Sequence, residues 1–178
     1  MEAQAINTEN LTLSTVVAAQ VEAVKDKLLQ TLKPVKQDEI NHIPFAGSWT
    51  PGQVGEHINL SVSGMIDILG APARATTREP DQYVKGIRDM FLNFRLKFQA
   101  AQNITPTAEH HDKIALITTL TDTFQKFIDI ILSEDLTGTF PDAQFPGIGP
   151  LTRLEWVYLT IYHTQRHIHQ LKEMRKSF

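Results

Sequence analysis

The sequence predicts an all-α protein, a four-helix bundle with a long crossover between its second and third core helices. Three observations carry that prediction. Four long stretches set apolar residues at steps of three and four, the spacing of one helical face. Two of them open on capping boxes, and the nine prolines lie at their ends or between them. No segment requires the alternation of a strand, and residues 1–178 are expected to form a single domain.

The first helix is expected from about Asn10 to Leu32, with Leu13, Val17, Val21, Val24 and Leu28 on one stripe and Pro34 closing it. The second starts at Thr50-Pro51-Gly52-Gln53: a Thr cap, Pro at the first helical position and Gln three residues after the cap. It runs to about Leu69, and Trp49 stands before it as a candidate staple. Residues 82–100 read as a connection that is helical in part, with Phe91, Phe94 and Phe98 on a common side, and Ala101 to Pro106 reads as extended. The third core helix is expected over Asp112 to Glu134, burying Ile114, Ile117, Leu120, Phe124, Phe127 and Ile131, with Gly138 as a nearby stop. After a loop rich in proline and glycine, the last helix starts at Thr152, with Glu155 completing a capping box, and runs to about Lys176.

Composition narrows the function classes. A net charge of -3, with no Lys/Arg cluster longer than a helix end, argues against a nucleic-acid partner. No run approaches the length of a membrane span, and the first ten residues lack the basic and apolar character of an export signal, so a cytoplasmic protein is expected. The absence of cysteine excludes disulfides and thiolate ligands, leaving any metal to histidine, carboxylate or water.

The histidines supply the candidate site. His163 and His167 lie four residues apart on the last helix, about 40° apart around its axis, so one ion is within reach of both. They share a stripe with Trp156, Leu159, Thr160 and Gln170. An i,i+4 pair is equally at home solvated or in a core, and Thr164 stands where a zinc protease carries its glutamate. His57 strengthens the case. It shares the second helix's stripe with Gln53, Val54, Ser61, Gly64 and Ile68, an otherwise apolar or small-residue face that turns it inward. An inward imidazole needs a partner. A metal shared with the last helix would provide one, and Ser61 and Gly64 would leave room for a ligand. His42, His110 and His111 read as loop or solvated residues, and His169 is rotated about 160° from His167.

The segments SWTPGQVGEHINL and LTRLEWVYLTIYHTQRHIHQL resemble the signature of the DinB/YfiT-like superfamily, and order and separation match over essentially the whole chain. The resemblance implies an up-down-down-up bundle with a metal-binding triad, here His57, His163 and His167. It also implies metal-dependent hydrolysis, or transfer or isomerisation using a low-molecular-weight thiol.

Three neutral nitrogens leave a divalent ion open positions, the pattern of a catalytic site. Zinc, nickel, manganese and iron all suit imidazole and water. A thiol nucleophile would have to be a cosubstrate. Gln170 is a candidate to orient His167, Gln53 to line the pocket, and Arg166 to meet an anionic substrate or favour the helix end. Glu56 points about 100° away from His57, and no residue stands out as a general base. The alternative is a non-catalytic stress-response or ligand-binding module whose metal site is structural or vestigial. Leu154, Val157, Ile161 and Ile168 form a second apolar face on the last helix, from which a homodimer is expected.

Overall fold

The computed structural model describes residues 8–178, with side chains from residue 12 onward. The first seven residues, on which most of the reading about an export signal falls, lie outside that range. Five helices are described: α1 (Thr8–Leu32), α2 (Pro51–Gly70), α3 (Val84–Phe91), α4 (Lys113–Ser133) and α5 (Arg153–Met174). The long ones form a four-helix bundle in which α1 and α2 each pack against both α4 and α5, while α3 lies on α5.

Side-chain contacts fix the directions. Arg153, at the start of α5, donates to Leu69 O and Ala71 O at the end of α2, so these two helices are antiparallel. Gly52 lies against His111 and Gly70 against Ile130, so α2 and α4 run parallel. Lys113 Nζ reaches Lys33 O, which sets α1 antiparallel to α4. The order is up-down-down-up.

The core is built as the periodicity predicts, with Val17, Val21, Val24 and Leu28 of α1 meeting Leu120, Phe124, Phe127 and Ile131 of α4 in one buried cluster. Ile114 is a correction. It is 76% exposed, and Leu116 takes the buried place, because at about 100° per residue Ile114 lies about 120° around the axis from Leu120 while Leu116 lies within about 40° of it. A Cβ at Gly55 would lie 2.8 Å from Leu116 Cδ2, so that glycine lets the two helices approach.

Three further expectations are corrected. The loop after α4 contains an antiparallel hairpin, β1 (Thr139–Phe145) and β2 (Gly149–Thr152), pairing Thr139 with Thr152 and Phe145 with Gly149. Its prolines fit because a two-stranded ribbon leaves edge donors unneeded, and Gly147 and Gly149 adopt positive φ at the turn. Gly138 is not a helix stop. The C-cap of α4 is Glu134, and Gly138 instead lets the chain pass Ala73, whose Cβ would be 2.8 Å from a Cβ there. Residues 102–104, expected to be extended, form a 3-10 turn.

Candidate metal centre

Both helices that carry the site start at fixed points. Thr50 Oγ1 accepts from Gln53 N and Gln53 Oε1 accepts from Thr50 N, and Thr152 and Glu155 repeat this exchange on α5. His57 therefore falls in the second turn of α2, and antiparallel packing brings it level with His163 and His167. The three Nε2 atoms converge: His57 to His163 is 3.0 Å and His167 to His163 is 3.0 Å. Two ligands each about 2.1 Å from one ion lie roughly 3.0 to 3.4 Å apart for angles of about 90 to 110°. The donor set fits a cation.

The other ring nitrogens decide the tautomers. His57 Nδ1 is 2.6 Å from Ile104 O, and a carbonyl only accepts, so Nδ1 carries the hydrogen. His167 Nδ1 donates in the same way to Gln170 Oε1 at 2.7 Å. In the neutral rings both Nε2 atoms then present lone pairs to His163 Nε2, which has at most one hydrogen to offer. One contact is left as lone pair against lone pair.

A shared proton is a poor remedy. His57 is 3% exposed and His167 8% exposed, while His163 is half-buried at its surface. Burial, with the neighbouring imidazoles, holds His163 well below the ordinary histidine value. Burial, reinforced by His57 and opposed by Gln170, pushes His167 down to about 3. Burial also lowers His57, against a hydrogen bond to Ile104 that favours its charged form. Trp49 covers His57 at 5.0 Å between ring centroids and Phe91 covers His163 at 5.9 Å. The cluster is neutral and partly walled from water.

The remaining candidates separate. Gln170 holds His167, as the stripe suggested. Ser61 is buried one turn after His57, and Trp156 is buried two turns before His163. Gln53 has both amide ends engaged, one in the capping box and one with Thr107 O at 2.8 Å, so its polar group does not face the imidazoles. Arg166 donates to the carbonyls of Phe91, Asn93 and Leu96 and lies over the Phe98 ring, so it clamps the crossover rather than presenting free donors to an anion. His169 stacks on Phe94 at 3.9 Å and His42 meets Phe178 edge-on.

His111 corrects the reading of a solvated residue. It is partly buried, with Nε2 2.9 Å from Glu56 Oε2, which also accepts from Thr107 N and Oγ1. Nothing in the sequence pairs Glu56 with a residue 55 positions later. The Ile104 carbonyl and the cover by Phe91 were equally hidden, since both belong to an irregular connection.

Comparison with curated proteins finds no significant match. The solved structure of TT2238, described as a four-helix bundle protein, is similar with a TM-score of 0.57 and 18% identity, covering 90% of this chain and 98% of that one. At that identity the likeness concerns the fold. The family model of the DinB superfamily matches residues 20–171, a span that includes all three histidines. The chain belongs to the DinB superfamily.

Proposed function

We propose that the chain is a divalent-metal-dependent enzyme, a hydrolase or a low-molecular-weight-thiol transferase, with its ion held by His57, His163 and His167. The observation that carries this reading is the convergence of three Nε2 atoms, those of His57 and His167 each 3.0 Å from that of His163, with the Nδ1 hydrogens of His57 and His167 committed to Ile104 O and Gln170. When bound, the ion supplies Lewis acidity, which acidifies water or a thiol and polarises a leaving group. The chain's own part is orientation and exclusion. Ile104 O and Gln170 keep the Nδ1 hydrogens in place, while Trp49 and Phe91 keep water from two sides. Lacking cysteine, the protein would take any thiol as a cosubstrate.

The test combines metal titration of protein purified without a histidine tag with a turnover screen, run with and without thiol cosubstrates. Metal-dependent turnover lost in both His57→Ala and His163→Ala is the expected result. The second reading, a non-catalytic module with a structural ion, draws on one observation: among the described residues no carboxylate joins the cluster. It requires that metal removal lower the melting temperature while no turnover is found under any condition.

A further inference from the structure

The seam between α2 and α5 continues past the imidazoles toward the start of α5. On α2, His57, Ser61 and Gly64 lie within about 60° of one another around the axis. Ser61 is 8% exposed, and its hydroxyl makes no hydrogen bond among the described residues. Gly64 sits in a helix interior, where glycine is disfavoured. Close packing does not explain it, since a Cβ there would meet nothing within 4 Å. It leaves open space on the face that carries His57.

Trp156 stands across this seam. The two fixed points, His57 with His163 and Leu69 with Arg153, put Trp156 level with Gly64. The residue is 6% exposed, and its indole Nε1–H is buried with no partner. A buried donor left unpaired is uncommon and calls for an acceptor. From Trp156 a line of rings leads back to the site: Phe145 at 6.4 Å, Phe91 at 6.3 Å from Phe145, and His163 at 5.9 Å from Phe91. Phe145 comes from the hairpin and Phe91 from the end of α3, so elements outside the bundle close this side.

We propose that the substrate of the three-histidine site has a flat apolar body bearing a hydrogen-bond acceptor. It sits beside the imidazoles over Ser61 and Gly64, with the Trp156 indole N–H as its donor and Phe91 and Phe145 as its cover. An aromatic carbonyl or carboxylate compound has this chemistry. The inference rests on the metal-site reading for its link to catalysis, but the pocket itself is tested without activity.

The probe is benzoate, with cyclohexanecarboxylate as its non-planar counterpart, added to labelled protein in metal-loaded and chelator-treated forms. Benzoate is expected to move the indole N–H resonance of Trp156 in both forms and to bind more tightly than cyclohexanecarboxylate. Trp156→Phe should weaken it about tenfold, the loss of one hydrogen bond. Gly64→Leu, which fills the space without touching a ligand residue, should abolish binding at unchanged metal content. An unmoved Trp156 resonance overturns the proposal, as does full benzoate affinity in Gly64→Leu or equal affinity for the two probes. Benzoate binding in a chain that takes up no metal supports the pocket and overturns the metal reading. Metal uptake with no benzoate response overturns the pocket alone.

Discussion

Gln170 acts on His167 through a single 2.7 Å contact, and that contact sets which ring nitrogen is free to bind. Replacing it with alanine leaves the ring able to rotate and to change tautomer. Metal affinity of Gln170→Ala should fall about 10- to 100-fold, measured by competition with a chelator; unchanged affinity would show that the amide plays no part. The lowered imidazole values give a second prediction at this scale. In metal-free protein the unfolded chain takes up protons near 6.5, while burial keeps His167 neutral to about 3 and lowers His57 and His163 as well. The unfolded state therefore holds more protons between these limits. The contribution of these rings is complete above pH 6.5 and is lost as the pH falls, for His167 down to about 3, by up to about 1.4 kcal/mol per pH unit while a ring stays neutral in the fold but is protonated in the unfolded chain. Denaturant melts of chelator-treated protein should show midpoints that fall on acidification. A midpoint that rises would mean the rings are not buried neutral.

Elements show where the sequence speaks and where it is silent. Caps were legible because a capping box is a local pattern, and both boxes form at Thr50 and Thr152. His57 was legible because its stripe is apolar or small, a periodic signal. Glu155 was only half legible. Its capping role is local, but the carboxylate is fully buried and also accepts from Arg78, at 2.7 and 2.5 Å, and from Tyr83 N. That link ties the irregular crossover to the start of α5 across more than 70 positions, beyond any periodicity. The pairing with Glu155 holds Arg78 above its ordinary value. Arg78→Met strands a buried carboxylate and should cost about 3 kcal/mol, read from equilibrium unfolding. A loss under about 0.5 kcal/mol, the range of ordinary surface changes, would show the pair to be incidental. The hairpin was hidden for a related reason, since three prolines and two glycines spell a loop unless the ribbon's free edges are known.

Across the whole molecule, each of the four long helices packs against two others, and that bears on two apolar faces. Phe124 is fully buried where α1 and α4 meet, whereas Ile114 lies outside the stripe. Phe124→Ala should cost about 3–5 kcal/mol and Ile114→Ala less than about 0.5 kcal/mol; similar losses for the two would contradict the packing. Leu154, Val157, Ile161 and Ile168, the face that suggested a homodimer, are all buried within one chain. No helix among the described residues is long and apolar enough to cross a membrane. The same up-down-down-up order that buries those residues sets α2 against α5 in opposite directions, and only this brings residue 57 to residues 163 and 167. X-ray absorption on metal-loaded, untagged protein probes that meeting most directly. One ion per chain with three imidazole nitrogens at about 2.0 to 2.1 Å, absent from His163→Ala, is the expected spectrum. An ion surrounded by oxygen alone, or a chain that takes up none, would contradict it.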